Sequence, residues 1–136
     1  MTLDYTWIID DDAIFTFTVK KMLQLHNLTH RIDTFPNGME AKLQLDNLRE
    51  HKLSYPNVIL LDINMPILDG WQFMDEFAQF PDKENIIVYL VSSSIDPNDR
   101  LKADRYEDIE DFVVKPVTLK ALSSLISDAR TLMDIS

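Results

Sequence analysis

Apolar and polar positions along this chain follow two alternating rhythms. Short apolar runs end abruptly in charged or hydroxyl groups, and between them apolar residues recur every third or fourth position. The first pattern reads as strands buried on both faces, the second as amphipathic helices. Residues 58–61, Val-Ile-Leu-Leu, run straight into Asp62; Met65-Pro66 stops that strand, and Asp69-Gly70 has the chemistry of a helix start. Residues 5–9 repeat the theme, ending in Asp10, Asp11 and Asp12. Residues 30–35 alternate weakly, as an edge strand does. Residues 86–91 are the most strand-like and give way to Ser92, Ser93 and Ser94, while a fifth strand over 109–114 delivers Lys115 and Pro116.

Helical spacing fills the gaps. A helix over about 13–26 carries Phe15, Val19 and Met22, flanked by Ile14, Leu23 and Leu25. Pro36-Asn37-Gly38 turns the chain into a second helix with Ala41, Leu45 and Leu48 on one face. The third places Phe73, Met74, Phe77 and Phe80 together and is followed by a polar loop over 81–85. Asp96 and Pro97 form a cap and first turn, but the helix they open, to about 106, is mostly polar: Asn98, Asp99, Arg100, Lys102, Asp104 and Arg105. It is expected to pack shallowly and leave a broad surface for a partner. Thr118 caps a last helix with Leu122, Leu125, Ile126, Ala129 and Met133 inward. Five strands alternating with five helices call for an α/β fold, a parallel sheet covered on both faces.

In such a sheet the C-terminal strand ends share one edge, where open α/β sheets bind ligands. Asp10, Asp11, Asp62, Ser92 and Lys115 therefore converge from distant parts of the chain. Three carboxylates in one crevice repel one another unless a cation sits among them, and a hard-oxygen donor set with room for water suits Mg²⁺. Lys115 supplies a mobile point charge for phosphate oxygens, and Ser92 a hydroxyl that can donate to a phosphoryl group. These parts fit phosphoryl transfer, in which positioning and charge neutralisation supply most of the catalysis. Each part has a plainer use: an Asp triplet caps a helix, serines satisfy strand-end backbone groups, Lys-Pro makes a turn, and Phe112 fills a core. The conjunction at one sheet edge favours the chemical reading for Asp10, Asp11, Asp62, Ser92 and Lys115, and leaves Phe112 evenly balanced between core and switch.

Composition narrows the field. The chain of 136 residues has the size of one domain, and it lacks cysteine, which removes disulfides and thiolate chemistry. Acids outnumber bases 23 to 13 for a formal charge of −10, a surface that repels phosphate backbones and argues against direct nucleic-acid binding. Two glycines, Gly38 and Gly70, are too few for a glycine-rich nucleotide loop. No apolar run reaches membrane-spanning length and no signal peptide opens the chain, so a cytoplasmic protein without membrane insertion is expected. His26, His30 and His51 share no metal-ligand spacing.

The ordered set Trp7-Ile-Ile-Asp-Asp-Asp12, Leu60-Leu-Asp-Ile-Asn-Met-Pro-Ile-Leu-Asp-Gly70, Leu90-Val-Ser-Ser-Ser94 and Asp111-Phe-Val-Val-Lys-Pro116 resembles the response-regulator receiver domains of two-component signalling, over nearly the whole chain. The resemblance implies a flavodoxin-like receiver fold, strand order 2-1-3-4-5 with five helices, over a single domain 1–136 without an output domain. It implies that Asp62 is the phosphoacceptor, served by a histidine kinase or phosphotransfer protein. It further implies that Asp11 binds Mg²⁺ (or Mn²⁺) directly with Asp10 acting mostly through water, and that the backbone carbonyl of Asn64 is another ligand. Ser92 becomes the switch hydroxyl, Lys115 the phosphoryl contact, Phe112 the switch aromatic, and the Lys115-Pro116 bond is expected to be cis. A downstream protein partner would bind the face formed by the fourth helix, fifth strand and fifth helix. Ser92 stands where Thr is more frequent, and Phe112, lacking a ring hydroxyl, would switch by packing alone. Asn64 and Ser94 are short and leave room for an attacking water, so autodephosphorylation is expected, but no turnover enzyme. Two other readings compete. A haloacid-dehalogenase-type phosphatase would need an acid where Asn64 stands, and a receiver-like adaptor working without phosphorylation would have no use for the cluster of like charges.

Overall fold

A computed structural model of the chain describes residues 2–135; Met1 and Ser136, the ends of the expected 1–136 domain, lie outside the described residues. Five strands, β1 (Leu3–Ile9), β2 (Thr29–Phe35), β3 (Val58–Leu61), β4 (Ile87–Ser92) and β5 (Ile109–Val114), alternate with helices α1 (Ala13–Leu25), α2 (Gly38–Glu50), α3 (Gly70–Phe77), α4 (Pro97–Asp104) and α5 (Leu119–Ile135). The strands pair in parallel in the order β2-β1-β3-β4-β5. The expected fold and strand order are therefore the ones observed.

Strand alternation divides the core into two halves. Trp7, Ile9, Ile59, Leu61, Val88 and Leu90 face one side and pack with Leu45 and Leu48 of α2 and Phe73, Met74 and Phe77 of α3. Ile8, Val58, Leu60, Tyr89 and Val91 face the other, against Val19 and Leu23 of α1 and Leu122, Ile126 and Ala129 of α5. All four residues of β3 are buried, which explains why its sequence runs apolar without alternation. Such a strand cannot slide without drawing a carboxylate from the crevice into the apolar layer, so Asp62 is held where the apolar run ends.

Helix starts follow the expected caps. Asp69 accepts from the Gln72 N–H in a full capping box, Asp96 from the Asn98 N–H, and Thr118 from the Ala121 N–H. Other boundaries move slightly. The first strand begins at Leu3 rather than Tyr5, the fourth strand takes in Ser92, and a short 3₁₀ turn, Lys83–Asn85, lies within the expected polar loop. The first helix ends at Leu25 with His26 as its cap, and Ile14 and Leu25 face solvent. The apolar stripe is narrower than the spacing predicts, because helical periodicity cannot say which flank of a stripe a neighbour covers.

The fourth helix is shorter than expected, ending at Asp104 and burying only Ala103. Beyond it Tyr106 stacks on Trp71 of α3 at 5.5 Å between ring centroids and donates its hydroxyl to Asp75, while the Lys102 ammonium lies 4.7 Å from the Trp71 ring. Shallow seating of α4 thus rests on an aromatic clasp more than on core burial. Among the described residues no helix is long and apolar enough to cross a membrane.

Candidate functional site

Backbone hydrogen bonds carry the sheet one step past its strands and set the rim. Asp10 N–H donates to the Phe35 carbonyl, Asp62 N–H to the Ile9 carbonyl and Lys115 N–H to the Ser92 carbonyl, each at 2.9 Å. Three residues far apart in the chain are therefore anchored by their own main chains at one edge, and their side chains converge. Lys115 Nζ lies 2.7 Å from Asp10 Oδ2 and 3.8 Å from Asp62 Oδ2. Carboxylate oxygens of Asp10, Asp11 and Asp62 all lie within 4.8 Å of one another. Asp10 and Asp62 are buried, whereas Asp11 is exposed and opens the crevice to solvent.

Burial of two like charges has an electrostatic consequence. Desolvation, reinforced by the charge of Asp10, pushes the Asp62 carboxyl up to about 6, against the pull of Lys115 and of the Ile63 N–H bonded to Asp62 Oδ1. Burial raises Asp10 as well, with Lys115 and the Asp12 N–H pulling the other way. One ammonium does not satisfy both carboxylates. A divalent cation would, and the donor set, three hard oxygens from three carboxylates with one side open to water, fits Mg²⁺ or Mn²⁺.

Glycine is required immediately beneath Asp62. A Cβ on Gly70 would lie 2.3 Å from the Asp62 carbonyl oxygen and 2.8 Å from the Ile63 Cα, while the Gly70 N–H donates to the Ile63 carbonyl. The start of α3 is thereby pressed against the backbone of the central aspartate. The loop between them turns at Ile67, whose φ of 70° is unusual for a β-branched residue.

Each expected site residue has a definite place. Ser92 is fully buried at the end of β4, opposite Val114, and its hydroxyl accepts from the Ser94 N–H at 3.2 Å. Asn64 is exposed in the loop two residues after Asp62. Phe112 is buried on β5 beside Leu90, with the Arg100 guanidinium 5.6 Å from its ring centroid. The Lys115-Pro116 bond is cis. The hydroxyl of Ser94 donates to the Asp99 carboxylate on α4 and accepts from the Asp96 N–H, so it ties the strand end to α4.

One contribution is open in the sequence only for the acid triplet as a whole, and another escapes it. Asp12, the third acid of the triplet, is the N-cap of α1, accepting from the Ile14 and Phe15 N–H groups. Phe15, expected only as core, lies with its ring centroid 4.2 Å from Lys115 Nζ. The capping pattern offered a signal for Asp12; nothing in the sequence pairs Phe15 with Lys115.

Comparison with known proteins agrees with this geometry. Residues 6–127 match the response regulator receiver domain family. Response regulator Rcp1 of Synechocystis sp. is 27% identical over 121 residues, covering 88% of this chain and 81% of Rcp1. Its Mn²⁺-bound crystal structure shares the fold with a TM-score of 0.74 at 22% identity, covering 94% and 92% of the two chains. A two-component response regulator from Cytophaga hutchinsonii superposes with a TM-score of 0.86 at 32% identity, covering 96% and 99%. A protein-glutamate methylesterase/protein-glutamine glutaminase of Methanococcoides burtonii is 30% identical over 129 residues, but the match, 93% of this chain, covers only 34% of that protein. With an acidic pocket at the C-terminal sheet edge and a family match across nearly all of its length, the chain belongs to the response regulator receiver domains.

Proposed function

We propose that the chain is a phosphorylation switch in which Asp62 accepts a phosphoryl group from a histidine kinase or phosphotransfer protein. The observation that carries this reading is the convergence of Asp10, Asp11, Asp62 and Lys115 on one crevice. An Asp62 carboxylate oxygen attacks the donor's phosphorus in line; a bond from that oxygen to phosphorus forms, the bond to the donor's leaving group breaks, and the electron pair departs with that group. A Mg²⁺ or Mn²⁺ ion held by Asp10, Asp11, Asp62 and the Asn64 carbonyl would neutralise the carboxylates and the incoming oxygens. Lys115 supplies the remaining positive charge, and its ammonium needs to travel only from Asp10 toward Asp62.

Phosphorylation places new acceptor oxygens beside a buried hydroxyl. Ser92 then exchanges the Ser94 N–H for the phosphoryl group and biases the position of α4 through Ser94 and Asp99. Phe112 responds by repacking against Arg100, and the α4–β5–α5 face changes its affinity for a downstream protein. A cytoplasmic location, and output by protein contact rather than by nucleic-acid binding, belong to this reading.

Incubation of the chain with acetyl phosphate and Mg²⁺ tests it by intact-mass measurement. One phosphoryl adduct is expected, absent in Asp62→Ala and absent with excess chelator. An adduct that survives Asp62→Ala would overturn the assignment.

A further inference from the structure

The Lys115 ammonium has three N–H groups and a flexible four-carbon stem, yet it sits 13% exposed in one place. Asp10 takes one N–H at 2.7 Å, and Asp62 lies on a second side at 3.8 Å. On a third side is the Phe15 ring, its centroid 4.2 Å from Nζ, inside the range in which an aromatic face attracts a cation. Phe15 is not free to drift away. Its backbone N–H is bonded at 3.1 Å to Asp12 Oδ1, the cap of α1, and its side chain packs into the core half beneath α1 and α5. The Asp10–Asp12 loop therefore sets both the carboxylate that holds the ammonium and, through its last member, the ring beneath it.

A cation on an aromatic face keeps its hydrogen-bonding directions open in a way that a cation in a second salt bridge does not. An ammonium resting on Phe15 has less far to fall between Asp10 and a new anion at Asp62 than one that must leave water or another carboxylate. We propose that Phe15 is a positioning residue for phosphoryl transfer, a ring that holds the Lys115 ammonium within reach of the Asp62 oxygens. This inference rests on the phosphoacceptor reading above and adds to it a residue that touches neither phosphorus nor metal.

Two measurements on the full chain test it. Ring-current shielding of the Lys115 ε-methylene protons, assigned by their loss in Lys115→Arg, reports the contact directly without any reaction. These protons should resonate upfield in the wild type and in Phe15→Trp, and near ordinary lysine positions in Phe15→Leu. The rate of Asp62 labelling by acetyl phosphate at saturating Mg²⁺ should fall by about two- to thirtyfold in Phe15→Leu and recover in Phe15→Trp. Mg²⁺ affinity should stay within about twofold in both variants, which separates positioning of the lysine from damage to the acidic pocket. Unshifted protons in the wild type, equal labelling in Phe15→Leu, or equal loss in both variants overturns the inference while the phosphoacceptor reading stands. A wild-type chain that takes no phosphoryl group overturns that reading, and this inference with it.

Discussion

Replacing Asp62 by Asn should make the metal-free protein more stable at neutral pH, although Asp62 lies at the centre of the site. The carboxyl rises in the fold from its ordinary 3.8 to about 6, chiefly through burial and then through the neighbouring Asp10. The folded state thus binds the proton more tightly than the unfolded state. Stability from this group is complete below about pH 4 and is lost as pH rises through about 6. At pH 7.5 the linkage ceiling is about 3 kcal/mol. Solvent entering past exposed Asp11 raises the local dielectric and brings the expected gain of Asp62→Asn to about 1–2 kcal/mol. That corresponds to a rise in Tm of about 3–8 °C for a domain of this size. Urea unfolding of both proteins in chelator at pH 7.5 and pH 4.5 is the assay; by linkage the difference should shrink to roughly a third at the lower pH. Millimolar Mg²⁺ should raise the midpoint of the wild type by more than that of the variant, which keeps Asp10 and Asp11 but loses one carboxylate. Equal or lower stability of Asp62→Asn in chelator at pH 7.5 would refute the claim that Asp62 is held at an electrostatic cost.

Other substitutions probe the neighbouring parts. Lys115→Met leaves Asp10 and Asp62 without their cation and should cost about 2–3 kcal/mol at pH 7.5 in chelator, with a smaller loss at pH 4.5, read by the same urea titrations. Gly70→Ala drives a methyl into the Asp62 carbonyl, which would lie 2.3 Å away; a loss of about 2–4 kcal/mol is expected, with weaker Mg²⁺ binding by calorimetry. Ile67, three-quarters exposed with φ of 70°, should give about 1 kcal/mol of added stability when changed to Gly, visible as a higher Tm with unchanged labelling of Asp62.

The sheet and its chemical edge were legible because burial on two faces leaves a strand little freedom of composition. Val58 to Leu61 had to be apolar, so the first residue that was not, Asp62, marked the rim. The same logic found Asp10 and Lys115, and the caps at Asp69, Asp96 and Thr118 announced helices by local hydrogen bonding alone. What escaped depends on direction and distance. Asp12 looks like Asp10 and Asp11 in a sequence, but a backbone turn makes it a cap and its neighbours an acidic pair at the crevice. Ile14 and Leu25 share the apolar character of Val19 and Leu23 and differ only in which side of α1 another helix covers. Phe15 and Lys115 meet because the first turn of α1 and the residue after β5 reach the same rim, a relation that no local pattern encodes. The left-handed turn at Ile67 was hidden because the residue there is one that disfavours it.

The rim residues are bolted to the sheet by their own amides, so a signal arriving at Asp62 has little chance of spreading through the strands. In the proposed switch the way out runs over the element with the weakest foothold. Pro97–Asp104 keeps one alanine in the interior and is otherwise held by surface contacts: Lys102 on the Trp71 ring, Arg100 against Phe112 and Asp111, and the Ser94–Asp99 tether. Its amides should exchange with deuterium sooner than those of any other helix, and a chain built this way would broadcast its state by loosening a rider rather than by bending the frame.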